Sequence, residues 1–231
     1  MEYKYVFDKD KCWWKNVCKA YNSRECNGCC IRYMKMHYLT TNALLTEKQQ
    51  HPDALIPEAI DKNSFLTLFE IKENIFDFVR SGKNLLIYSD NTGNGKTQWA
   101  LKILMKYLSK VWSMDSFTTR GLFISVATLC SAFKDNFTQK VDYLQHIKDN
   151  ILNADLVVWD DIGLKSLTPM EHDYLYSYIN ARIESGKSNI FTSNIRNDNL
   201  KTALGDRLYS RIMGCDEIIT FQGSDKRGAK K

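Results

Sequence analysis

Gly93-Asn94-Gly95-Lys96-Thr97 stands between an apolar run, Leu85–Ser89, and a stretch of helical spacing over about 97–112. A strand, a glycine-rich turn and a helix in that order bind phosphate. Successive backbone N–H groups and the helix N-terminus together make an anion-binding concavity. Gly93 and Gly95 let the backbone approach with no Cβ in the way. Lys96 is then placed to reach the β- and γ-phosphates of a nucleotide and Thr97 to hold its Mg2+, with Asn94 between the two glycines. Asp90 stands where the full G-x-x-x-x-G-K-[ST] pattern has its first glycine. A carboxylate there opposes a triphosphate unless it points away.

Leu156-Val157-Val158-Trp159 is an apolar strand ending in two carboxylates, Asp160 and Asp161. In a parallel sheet the C-terminal strand ends line the ligand crevice. Asp160 is therefore the candidate for the Mg2+ shell, and Asp161 for orienting and polarising the attacking water. Asn189–Ser193 is another strand with a polar end. The amide of Asn194 suits either the γ-phosphate or the water, with a plain strand-end turn as the other reading of that residue type. Arg207 and Arg211 lie four apart on one face of the last helix. A guanidinium there can stabilise transition-state charge at a neighbouring subunit's γ-phosphate, and the spacing also fits a solvated helix face.

The elements that must position these groups follow from periodicity. Asn63 or Ser64 caps a helix with Leu68, Ile71, Ile75 and Phe78 at helical spacing, ended by Gly82. Strands are predicted at Leu85–Ser89, Gly121–Ala127, Leu156–Trp159, Asn189–Ser193 and Glu217–Phe221. Helices are predicted at about 97–112, up to about 153, from Pro169 to about 184, and over 199–213. Strands spaced by helices imply an α/β fold with a parallel sheet covered on both faces. The chain ends soon after the fifth strand, so no C-terminal helical lid is expected. Residues 46–62, with Pro52 and Pro57, read as a linker. It separates a cysteine-rich segment, 1–45, from a nucleotide-binding domain, 63–231.

Composition bounds the rest. The 231 residues are 44% hydrophobic and 26% charged, enough apolar material for a core, which excludes an intrinsically disordered chain. With 3 Pro and 11 Gly, a fibrous protein is excluded as well. A net charge of +5 permits a nucleic-acid partner without requiring one. The basic residues are scattered: Lys102, Lys106, Lys110, Arg120, Lys134 and Lys140, then Lys226, Arg227, Lys230 and Lys231 at the tail. No run approaches the ~18 apolar residues of a membrane span, and the first residues lack a signal peptide's apolar segment. The expected location is cytoplasmic, with reduced thiols.

Five of seven cysteines fall between Cys12 and Cys30, in the spacing Cys12-x5-Cys18-x7-Cys26-x2-Cys29. Four thiolates suit a closed tetrahedral Zn2+ site, with Cys30 or His37 able to replace one ligand. Free buried thiols are the other reading. Trp13, Trp14, Tyr21, Tyr33 and Tyr38 would either form a partner surface or pack around the metal.

In this order and spacing, Gly93–Thr97, Leu156–Gly163, Ile190–Asn194 and Arg207–Arg211 resemble AAA+ ATPases of the DnaC/DnaI type, in the IstB-like branch. Those are bacterial and phage loaders of the replicative helicase. Tyr178–Arg182 followed by Phe191–Asn194 looks like the family's run into its sensor-1 strand, and Phe221–Arg227 like its closing strand and arginine. The resemblance covers about residues 64–227. It implies a P-loop AAA+ core whose five-stranded parallel sheet carries the sensor strand between the acidic and phosphate-loop strands. It implies Mg-ATP on Lys96 and Thr97, metal on Asp160, water on Asp161 and γ-phosphate sensing by Asn194. Arg211 is the better match to the arginine finger, with Arg207 second. Implied partners are the replicative hexameric DNA helicase, single-stranded DNA and a second copy at the ATP site. An N-terminal zinc module that contacts the helicase is also implied. Asp90, and Asp161 in place of the Glu of AAA+ enzymes generally, point to slow hydrolysis serving a switch. The alternatives are the ATPase helper of a transposition system, a nucleotide-binding scaffold without turnover, and a small-molecule kinase.

Overall fold

The computed structural model describes residues 8–26, 30–114, 117–134, 141–164, 166–195 and 197–226. Strands β1 (Asn84–Tyr88), β2 (Gly121–Ser125), β3 (Leu156–Asp160), β4 (Ser188–Ser193) and β5 (Glu217–Thr220) form one sheet. Their order is β2-β3-β4-β1-β5 and every pairing is parallel. The expected parallel sheet is present, with β4 between β3 and β1.

β3 and β4 are buried along their whole length, as near-continuous apolar runs in a parallel sheet require. Successive side chains alternate between two cores. Leu85, Ile87, Leu156, Val158 and Ile190 pack under helices α2 (Lys62–Glu73), α3 (Ile75–Arg80) and α4 (Lys96–Val111). Leu86, Val157, Trp159 and Phe191 pack on the other face, under α5 (Val126–Lys134), α6 (Val141–Asn150), α7 (Pro169–Glu184) and α8 (Asn197–Met213).

Three elements differ from their predicted form. The helix expected from about 63 to 82 breaks at Asn74 (φ −98°, ψ 21°), whose Nδ2 donates back to Glu70 O at 3.1 Å. An asparagine offers the backbone this local alternative to a continuous helix. The second strand stops at Ser125 and α5 begins at once. Helix α8 is kinked at Gly205 (φ 73°, ψ 161°), a conformation open essentially to glycine.

The N-terminal segment shares the first core. Trp14, Leu45 and, from helix α1 (Ile31–Asn42), Met36 and Leu39 are buried in the cluster that holds α4. Phe123 N–H donates to Ala43 O at 2.9 Å. The Arg32 guanidinium lies between two indoles, 4.0 Å from Trp14 and 5.2 Å from Trp112 at the end of α4. Among the described residues, no helix is long and apolar enough to cross a membrane.

One cation lies wholly inside. Arg182 on α7 is 0% exposed and donates to Asn189 Oδ1 (2.8 Å), Ile151 O (2.5 Å), Ala154 O (2.8 Å) and Ser188 O (2.6 Å). Burial pushes its pKa down to about 9, against the opposing charge of Asp155. It fastens α7 to β4 and to the turn before β3.

Candidate nucleotide-binding site

Parallel register brings three strand ends to one edge of the sheet. Tyr88 of β1 pairs with Ser193 of β4, and Trp159 of β3 with Phe191. The loops after β1, β3 and β4 are therefore neighbours. Ile162 N–H donates to Thr192 O at 2.9 Å, and Ser193 Oγ donates to Ile162 O at 2.9 Å, fixing the acidic loop to β4.

Gly93 (φ 71°) and Gly95 (φ 104°) hold left-handed backbone that turns the chain into α4. Lys96 is 4% exposed, and its Nζ donates to Asn91 O at 2.7 Å and Asn94 Oδ1 at 2.9 Å. Asn94, wholly buried, donates in turn to Ser89 Oγ at 2.5 Å. Asn94 thus ties the lysine to the end of β1, a role its position between the glycines did not disclose.

Thr97 Oγ1 donates to Asp160 Oδ1 at 2.8 Å, and Thr192 Oγ1 donates to the same oxygen at 2.7 Å. Burial first, and the neighbouring Asp161 charge, push the Asp160 pKa up to about 6. The two hydroxyls and Lys96 oppose that shift. Asp161 sits at φ 57°, unusual for a residue with a Cβ, and its N–H donates to Thr192 Oγ1 at 2.9 Å. Asn194 Nδ2 donates to Asp161 Oδ1 at 2.7 Å, while Asn194 Oδ1 is buried and has no hydrogen-bond partner among the described residues.

Asp90 accepts a short hydrogen bond from the Tyr88 hydroxyl. A tyrosine at the end of β1 is what steadies the carboxylate at this glycine position, and the sequence pattern did not flag it. Asp90, Asn91, Ser166 and Asn194 line a cleft of about 560 Å3 beside the loop.

The residues present fit Mg-nucleotide. The hydroxyl of Thr97 and the carboxylate of Asp160 converge as a hard-cation oxygen pair. A buried lysine is held in the loop next to them. Lys96, Thr97, Asp160, Asp161 and Asn194 are thus brought together. Arg207 and Arg211 are exposed on α8. Arg211 Nη2 lies 3.9 Å from Glu184 Oε1, and among the described residues neither arginine ion-pairs with Asp160 or Asp161.

In the cysteine-rich segment, Cys12 and Cys18 are partly buried against the first core and Cys30 is exposed. Cys12 and Cys26 lie near Tyr21, where burial and Asp10 lead in raising the phenol pKa. Cys29 lies outside the described residues, as does Arg227. Among the described residues, no three His, Cys, Asp or Glu side chains gather as a metal site.

Comparison with known proteins agrees with this geometry. The family described as "IstB-like ATP binding protein" matches residues 70–220. The replicative helicase loader DnaC of Escherichia coli (strain K12) is 27% identical over 143 residues, covering 62% of this chain and 52% of that protein. The chain thus spans about half the length of the curated relatives it matches. A crystal structure of the DnaC helicase loader superposes with a TM-score of 0.56 at 20% identity, covering 76% of this chain and 97% of that one. A crystal structure of DnaI superposes with a TM-score of 0.57 at 18% identity, covering 79% and 94%. At those identities the structures establish the shared fold, while the family match extends over most of the chain and includes both the phosphate loop and the acidic pair. The chain belongs to the family of IstB-like ATP binding proteins.

Proposed function

We propose that the protein is an ATP-dependent loader that brings the replicative DNA helicase to single-stranded DNA, with nucleotide binding and slow hydrolysis as its switch. The observation that supports this best is the hydrogen-bonded cluster of Thr97, Asp160, Asp161 and Asn194 beside the buried Lys96. The similarity to DnaC-type loaders supplies the partner class.

Bound Mg-ATP would supply the phosphoanhydride to be cleaved and the metal's charge. Lys96 would exchange its contacts to Asn91 O and Asn94 Oδ1 for phosphate oxygens and neutralise them. Thr97 and Asp160 would hold the metal. Asp161 accepts a proton from the attacking water and orients it. Asn194 has one amide N–H on Asp161, which leaves its second N–H and an oxygen that no described residue bonds. That oxygen suits a water O–H better than a phosphate oxygen. Arg211, or Arg207 next to it on α8, serves a second copy's site across a subunit contact.

Residues 1–45 act in this reading as the helicase-facing module, residues 46–62 as linker and 63–231 as the ATPase domain. Zn2+ on Cys12, Cys18, Cys26 and Cys29 belongs to the same proposal, and no catalytic step passes through it. The location proposed is the cytoplasm.

The test is ATP turnover with and without single-stranded DNA and the hexameric helicase, on protein assayed for bound zinc. Turnover that rises with both partners supports the loader. The family match also favours a second reading, the ATPase helper of a transposition system. Failure to bind any replicative helicase would leave that reading in its place. Nucleotide binding without turnover under all conditions would make the protein a scaffold.

A further inference from the structure

After β5 the chain crosses the mouth of the phosphate loop. Phe221, 2% exposed, begins the crossing: its N–H donates to Tyr88 O at 2.9 Å and its ring packs on Phe65. Asn91 Nδ2 donates to Gln222 O and Gly223 O, each at 3.1 Å, and Lys226 N–H donates to Gly93 O at 3.0 Å. Residues 222–226 are therefore bonded to the loop at both ends.

Two carboxylates just before α2 grip the same segment from the other side. Asp61, 1% exposed, accepts from Gln222 N–H at 2.8 Å and Gly223 N–H at 3.0 Å. Glu58 Oε1 accepts from Ser224 N–H at 2.9 Å and Ser224 Oγ at 2.7 Å, with Lys226 Nζ at 3.4 Å. The fit is tight at two glycines. A Cβ on Gly223 would lie 2.5 Å from Asp61 Oδ2. A Cβ on Gly93 would lie 1.8 Å from Asp225 Oδ1, so the Asp225 carboxylate fills the room a side chain at Gly93 would need.

We propose that residues 222–226 form a strap over the phosphate loop, and that Asp225 acts in it as an electrostatic brake on nucleotide capture. Asp61 and Glu58 are the positioning residues that hold it there. The proposal rests on the reading of the loop as a nucleotide site. A carboxylate seated on an anion-binding loop repels an incoming polyphosphate, so capture favours a strap that has moved. Moving it releases the hydrogen bonds that Asp61 and Glu58 make, and these two belong to the stretch joining the N-terminal segment to α2. Nucleotide occupancy is thereby communicated to that stretch.

The test titrates N-methylanthraniloyl-ATP with Mg2+ into the full chain and its Asp225→Asn variant, whose exposed position spares the fold. Asp225→Asn should tighten binding by about three- to tenfold with unchanged thermal stability. Glu58→Gln should shift affinity in the same direction. If the strap merely braces the loop, both changes leave binding equal or weaker. That result overturns the brake while nucleotide binding by the unaltered chain stands. If the unaltered chain does not bind and Asp225→Asn does, the brake is supported in its strongest form. If neither binds, the nucleotide reading and the brake fall together. Amide exchange gives an independent readout. Mg-nucleotide should speed exchange at Gln222, Gly223, Ser224 and Lys226, and slowed or unchanged exchange there overturns the proposal.

Discussion

Asn194 donates to Asp161 at 2.7 Å and keeps its own carbonyl oxygen buried, with no bond to it from any described residue. A carboxylate with one oxygen fixed, next to an orphan acceptor, is a place where a water with two O–H groups can be held at both. On the proposed function, the pair holds the water and leaves the nucleotide to Lys96 and Thr97.

Asp161→Asn should therefore keep nucleotide binding and lower kcat by about a hundredfold or more, the usual span for a lost general base. Asn194→Ala should also act on kcat, with the nucleotide Kd within about twofold. Single-turnover phosphate release alongside a binding titration measures both. A Kd that moves as much as kcat would remove the division of labour.

Lys96→Ala removes the buried ammonium from the loop. Its expected effect is loss of ATP binding at any practical concentration, with the fold retained by circular dichroism. Binding that survives within about tenfold would mean that the backbone amides alone carry the phosphate.

Asp160 gives a pH signature. Its pKa is pushed up to about 6, against a model-compound value of 3.8, chiefly by burial. An acid with a raised folded-state pKa binds protons more tightly when folded. Stability from this group is present at low pH and is lost as pH rises between about 4 and 6. Its charged form at pH 7 then costs the ligand-free protein about 3 kcal/mol. Asp160→Asn should raise Tm at pH 7, have little effect at pH 4, and abolish Mg2+-dependent turnover. In the unaltered protein, Mg2+-dependent nucleotide binding should fall away below about pH 6. Denaturation at the two pH values and a pH series of binding check both signs.

Arg182→Met leaves four acceptors, Asn189 Oδ1, Ile151 O, Ala154 O and Ser188 O, without the donor that joins them. The expected loss is about 3–5 kcal/mol, because buried polar groups are costly when unpaired. Urea denaturation reads it directly. Arg182→Lys should recover only part, since an ammonium cannot span the same fork.

Much of the sheet was legible because buried parallel strands are short, continuous and apolar: 85–88 and 156–159 stand out against charged flanks. Lys96 and Asp160 were legible from type and spacing. Asn74 and Gly205 were not, because each breaks a helix whose apolar spacing runs straight through it. Arg182 is named in the sequence only as the end of the run Tyr178–Arg182, and the carbonyls of other elements that draw it inside leave no mark there. Asp61 lies in the stretch taken for linker, and its partners are 161 and 162 residues away. Tyr88 lies inside the predicted strand Leu85–Ser89, whose pattern does not show its hydroxyl on Asp90. Contacts of that reach leave no periodic trace.

Helix α4 starts at Lys96, and Trp112 at its far end flanks Arg32. Its 16 residues make a rod of about 24 Å. Ten degrees of pivot about the lysine end would sweep the indole through about 4 Å. On the proposed function, the cysteine-rich segment is thus attached to the long arm of a lever that pivots at the phosphate loop.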